Sequence, residues 1–172
     1  MRQLSSRLFS FPDPVNEVAA RTVAGGVVLL TVATLITRSP WLLAVLAAGF
    51  VARVLTGPTL SPLGQVATRV VAPGLDRSGL ARPKLVPGPP KRFAQGIGAT
   101  LSVGAVIAYF AGVPIVAWVL VALITAAAAL ESVFAFCLGC AIFAKLMAAG
   151  IVPESVCEAC NNLQLRQPTP AG

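Results

Sequence analysis

Long apolar runs separated by short polar breaks dominate the chain. Apolar positions are nearly continuous over about residues 20–37, 41–55, 93–110 and 115–136. None of these runs alternates with period two, so they read as helices with apolar surroundings rather than half-buried strands. Together they predict an all-α fold, an integral membrane four-helix bundle. The first two runs are shorter than the ~20 residues that cross a bilayer core. Full crossing and a re-entrant hairpin are therefore both open for that pair. Arg21 and Arg38 flank the first run and are expected to snorkel toward opposite interfaces. Arg38-Ser39-Pro40 reads as a tight turn between the first two helices.

The polar stretches carry their own signals. Asp13-Pro14 has the form of an N-cap followed by a first-turn proline, and so does Ser61-Pro62. Glu17 and Arg21 lie four apart on one helix face and are spaced to pair. Leu63, Val66, Ala67, Val70 and Val71 follow helical spacing, which predicts one cytosolic amphipathic helix over 62–72 at the membrane surface or under the bundle. Pro73-Gly74 is expected to end it. Residues 74–92, rich in Pro, Gly, Lys and Arg, are expected to form an extended basic linker. In the third run Gly96, Thr100, Gly104, Ala108 and Gly112 recur every fourth residue, a ridge along which another helix could approach closely in lipid. Residues 115–149 would make a helix of about 52 Å, longer than a hydrocarbon core of about 30 Å, so this stretch must break. Gly139 is the expected weak point. Beyond the fourth run the reading is a short helical cysteine segment at the inner surface within a tail, 137–172. The whole chain, 1–172, is expected to be a single membrane domain.

Composition agrees with this picture. Of 172 residues, 56% are hydrophobic and 11% charged, against about 25% charged in soluble domains. Residues 1–9 lack the apolar core of a cleaved signal peptide, so the first span is expected to double as the insertion signal. The net charge of +7 reports orientation first, and no nucleic-acid partner is expected. With four spans, Arg2, Arg7, Arg21, Arg53, the basic linker, Lys145 and Arg166 fall on one side, and Arg38 on the other. The positive-inside tendency then predicts a multi-pass protein of the plasma (inner) membrane with both termini cytoplasmic. Trp41, Tyr109 and Trp118 mark the opposite interface.

There is no histidine, which excludes Ser-His-Asp and Cys-His nucleophiles and any imidazole ligand or proton shuttle. The chemistry rests on the four cysteines, Cys137 and Cys140 and then Cys157 and Cys160. Two C-x-x-C pairs on a reducing face do not suggest structural disulfides. They suit a tetrahedral zinc site in which all four sulfurs are ligands. They equally suit reactive dithiols that cycle to disulfides or carry a persulfide. Small buried thiols packed as apolar groups are the plain alternative. Lys145, five residues after Cys140, is a candidate cation for activating a thiol. Glu131, an acid within an apolar stretch, is either a proton acceptor for that chemistry or the buried partner of Arg53, Arg21 or a backbone group.

The segments Phe11-Pro-Asp-Pro-Val-Asn-Glu-Val-Ala-Ala-Arg21, Ser61-Pro-Leu-Gly64, Pro87-Gly-Pro-Pro-Lys-Arg-Phe-Ala-Gln-Gly-Ile-Gly98, Glu131-Ser-Val-Phe-Ala-Phe-Cys-Leu-Gly-Cys140 and Val152-Pro-Glu-Ser-Val-Cys-Glu-Ala-Cys-Asn161 resemble a family of small bacterial membrane proteins. That family is common in actinobacteria and catalogued only as a domain of unknown function. Its genes often lie near those for thioredoxin-like and rhodanese-like proteins. The resemblance therefore implies thiol redox or sulfane-sulfur handling with such a cytosolic partner, ahead of a zinc-tied scaffold. A homo-oligomer is compatible with either reading.

Overall fold

A computed structural model describes residues 13–57, 59, 61–79, 85–157 and 160. The lead-in at 1–12, with Arg2 and Arg7, lies outside the described residues. So do the middle of the basic linker (80–84) and the tail from 161 onward, with Arg166.

The first helix, α1 (Glu17–Thr37), is capped by Asn16, whose side-chain oxygen accepts from the Val18 and Ala19 N–H groups at 2.9 and 3.3 Å. Asp13 is therefore not its N-cap. Asp13 accepts from the Gly88 N–H at 2.9 Å and so ties the entry to α1 to the start of a later helix. Val15–Asn16 (β1) pairs antiparallel with Leu85–Val86 (β2), a small ladder that anchors the linker. Arg38 ends α1 in the left-handed conformation, and α2 (Pro40–Thr56) runs back beside α1.

The surface helix is longer than its prolines suggest. It comprises α3 (Pro62–Val66), a π-helical turn (Ala67–Val71) and α4 (Ala72–Arg77). Pro73 lacks the N–H that an α-helix would use, and the widened turn before it lets the chain continue to Arg77. Gly64, Ala67 and Ala72 are buried, whereas Val66 and Val70 face outward. Leu63 fills the space beside Gly26, where a Cβ would lie 2.5 Å from Leu63 Cδ1.

Helix α5 (Gly88–Phe110) starts five residues before the apolar run, because Pro89 and Pro90 are compatible with a first helical turn. Lys91 and Arg92 thus belong to a helix and not to a linker. Next come α6 (Pro114–Phe134) and α7 (Leu138–Ala148). The break between them is not at Gly139. Ala135 takes the left-handed conformation that closes α6, and Cys137 is extended as the N-cap of α7. Gly139 sits in the first turn of α7 and lets it press on α5: a Cβ there would lie 2.5 Å from Ala94 Cβ.

Helices α1, α2, α5 and α6 form an antiparallel bundle around Val23, Val27, Leu43, Leu46, Phe50, Val121 and Ile124. Three of them, α1, α5 and α6, are long and apolar enough to cross a membrane, and α2, at 17 residues, is shorter. Their outward faces stay apolar, with Leu29, Ile36, Ile107, Phe110 and Ile115 all exposed. Such a surface suits lipid and not water. Buried Thr31 and Thr34 turn their hydroxyls onto carbonyls of their own helix, at 3.0 and 2.7 Å.

Close packing uses a different ridge from the one read in the sequence. On α5 the buried small residues are Gly98, Ser102 and Ala105, and Gly98 receives the Phe50 ring of α2. Gly96 has open space beside it, and Gly104 meets α6 only at ordinary contact distance, 3.6 Å from Leu120 Cδ1. The helix has small residues on two faces, and the bulky Phe50 decides which one is used.

Candidate functional site

Antiparallel packing collects the ionisable residues at one end of the bundle. Arg21 on α1, Arg53 on α2, Lys91 on α5 and Glu131 on α6 all lie there, while Arg38, Trp41, Tyr109 and Trp118 lie at the other. The Tyr109 and Trp118 rings meet edge-on with centroids 5.6 Å apart.

The hinge that carries the first cysteine pair is tied down by Arg21. Its Nε and Nη2 donate to the Ser132 carbonyl at 3.2 and 3.0 Å, and Nη2 also donates to the Val133 carbonyl at 3.2 Å. These carbonyls end α6, where a helix leaves acceptors unsatisfied and favours a cation. Arg21 therefore serves the end of α6.

Cys137 caps α7 and Cys140 lies in its first turn, so the C-x-x-C spacing brings both thiols to one side. They are free thiols and half-buried. Interaction with the neighbouring Cys140 thiol holds the Cys137 thiol below its ordinary range. Burial and Glu131 oppose that shift, and Lys91 supports it. Cys140 is pushed far up by the same interaction and by burial. The arrangement makes one nucleophile and one resolving thiol.

The cation beside these sulfurs is Lys91, missed in the sequence because it sat inside an apparent linker. The two prolines just before it were the available signal. Lys145 is exposed and is not among the residues that line the cavities bordered by Cys137 and Cys140. Glu131 is bound by Lys91 in an ion pair whose side chains are 11% and 16% exposed. Arg53 acts on Glu131 only across space.

The second pair is oxidised. Cys157 and Cys160 form a disulfide, contrary to the expectation of reduced thiols. Cys157 is buried at 3% exposure, while Cys160 lines a cavity of about 510 Å³ together with Glu17, Lys91, Cys137, Cys140 and Met147. Three of the four cysteines thus line one space. Cys137 also borders a small apolar cavity inside the bundle, of about 100 Å³, with Glu131 and Gln95. Among the described residues no group of three or more Cys, Asp or Glu side chains is arranged around a metal-sized point.

The chain belongs to the family described as a domain of unknown function (DUF4395), whose model matches residues 15–148. The match takes in Lys91, Glu131, Cys137 and Cys140 and ends before the disulfide. No curated protein and no solved structure matches the chain.

Proposed function

We propose that this DUF4395 protein is a membrane thiol–disulfide relay, in which the Cys137/Cys140 dithiol and the Cys157–Cys160 disulfide exchange two electrons. The observation that carries this reading is the shared cavity: both cysteines of the free pair and one cysteine of the disulfide line the same space. A dithiol facing a disulfide is the starting arrangement for exchange, and it favours redox work over sulfane-sulfur carriage.

The chemistry balances within the chain. The Cys137 thiolate attacks the Cys160 sulfur, the accessible half of the disulfide. A Cys137–Cys160 bond forms and the Cys157–Cys160 bond breaks, releasing Cys157 as a thiolate that takes a proton. Cys140 then loses its proton and attacks Cys137, which displaces Cys160. The products are a Cys137–Cys140 disulfide and a Cys157/Cys160 dithiol, with two electrons and two protons transferred. Glu131 serves as a proton acceptor near Cys137, and Lys91 steadies the attacking charge. A soluble thioredoxin-like dithiol protein is the partner class that would reset the pairs.

Arg21, Arg53, Lys91 and Arg92 gather at the thiol end against Arg38 at the other. The positive-inside tendency then puts that end, and both termini, in the cytoplasm of a cell bounded by this membrane. A disulfide on a reducing face fits a transient, working bond.

Trapping tests the relay. The Cys140→Ser protein keeps the disulfide but lacks the resolving thiol and, mapped without reductant, should accumulate a Cys137–Cys160 linkage. If that linkage does not form, the relay fails. The zinc-tied alternative draws on the same proximity of the pairs but requires all four sulfurs as thiolates. One zinc per chain and no titratable thiols after reduction would replace the relay with that structural tie.

A further inference from the structure

On the other side of Lys91 lies a cavity of about 170 Å³, bordered by Asn16, Arg53, Gly64, Thr68, Lys91 and Gln95 among others. It is smaller than the ~300–1,000 Å³ of sites for organic ligands. Two cations line it, and no described carboxylate does.

Arg53 is the unusual member. It is only 6% exposed, and its Nε has no hydrogen-bond partner. The guanidinium carbon lies 4.5 Å from the centroid of the Phe50 ring, which fixes the group in place without satisfying its donors. Its counter-charge is shared. Glu131 is already ion-paired with Lys91 and acts on Arg53 only through space. Glu17 faces the thiol cavity and not this one. Among the described residues that line this cavity or act on Arg53, two cations share one carboxylate inside an apolar bundle, where underpaired charge is costly and marks ligand or ion sites. Gln95 adds a buried amide oxygen, also without a partner.

We infer that this cavity is an oxyanion site, in which Arg53 and Lys91 hold a small tetrahedral anion of the phosphate class. A planar guanidinium donates to such an anion through a two-pronged fork, and a lysine adds a point charge. The free Gln95 oxygen accepts from the hydroxyl of a hydrogen-bearing oxyanion. The size admits an inorganic ion or the phosphate head of an acidic lipid, and excludes a nucleotide. The site shares Lys91 with the thiol cavity but uses no cysteine, so the cysteine variants that test the relay leave it intact.

The test is thermal unfolding and equilibrium binding of radiolabelled inorganic phosphate with full-length protein in neutral detergent. Chloride at equal ionic strength is the control. A parallel arm uses nanodiscs of neutral lipid with or without phosphatidic acid. The expected result is saturable binding at one site per chain, with a raised unfolding midpoint that chloride does not reproduce. Arg53→Gln should weaken it by about tenfold or more, the loss typical of a charged hydrogen bond. Gln95→Leu, which leaves every charge in place, should weaken it too and serves if the arginine variant does not fold. Saturation by phosphatidic acid, with no effect of inorganic phosphate, assigns the same site to a lipid head. If wild-type protein responds to phosphate and phosphatidic acid no more than to chloride, there is no oxyanion site.

Discussion

Lys91 at the start of α5 and Glu131 near the end of α6 form a buried ion pair at the rim of the thiol cavity. The pair joins two helices that run antiparallel from one end of the bundle to the other. It also sets the charge beside Cys137, because the lysine favours the thiolate and the carboxylate opposes it.

Removing one partner of this pair should cost far more than removing both. Lys91→Met leaves Glu131 buried with only the more distant Arg53 as counter-charge, and a loss of about 3–5 kcal/mol is expected. Lys91→Met with Glu131→Gln should recover most of it. Unfolding midpoints of the two variants in the same detergent provide the comparison. Equal losses would mean that the pair contributes little.

The thiols should impose a pH optimum on stability. The folded Cys137 thiol ionises below its ordinary value of 9.0. At pH values between the two, the unfolded chain holds the extra proton, so stability rises toward pH 9. Cys140 is raised, so above pH 9 it is the folded chain that holds the extra proton, and stability falls again. Midpoints measured across this range should peak near the ordinary thiol value. Cys140→Ala, which removes the neighbouring thiol, should move the pH at which Cys137 becomes reactive to iodoacetamide upward. A lack of movement would deny that neighbour its role.

Two glycines on the same helix should respond in opposite ways. A Cβ at Gly98 would overlap the Phe50 ring, whereas Gly96 has nothing within 4 Å. Gly98→Ala should destabilise by about 1–3 kcal/mol. Gly96→Ala should be neutral or slightly stabilising, since it removes a flexible residue from a helix. Pairing Gly98→Ala with Phe50→Leu should restore part of the loss. Thermal scans of the three variants decide whether the ridge at 98, 102 and 105 is the one that packs.

Gly139 should control where the first thiol pair sits. A Cβ there meets the backbone of Ala94 at 2.6 Å and must push α7 away from α5. Phe93 and Phe143, whose rings lie 5.5 Å apart, would separate with it. Gly139→Ala introduced into the Cys140→Ser protein should reduce the yield of the Cys137–Cys160 linkage while the bundle still folds. An unchanged yield would show that this crossing does not position the sulfur.

The sequence by itself determined the helical, membrane-type character of the chain, because an apolar run carries its preference for lipid in each residue. It also singled out the cysteines and Glu131, since unusual residue types in apolar surroundings are visible without coordinates. What it hid were relationships between residues far apart in the chain. Asn16 and not Asp13 caps α1, because Asp13 is drawn to the Gly88 N–H by the β1–β2 pairing. The small residues that pack are those opposite Phe50, and nothing local to α5 says so. Lys91 looked like one basic residue in a linker, and only the antiparallel approach of α5 and α6 makes it the partner of Glu131. Arg53 likewise became significant only when folding buried it beside a cavity and left its one nearby carboxylate with another cation. Local chemistry can be read along the chain, but which charges share an enclosure depends on how the helices cross.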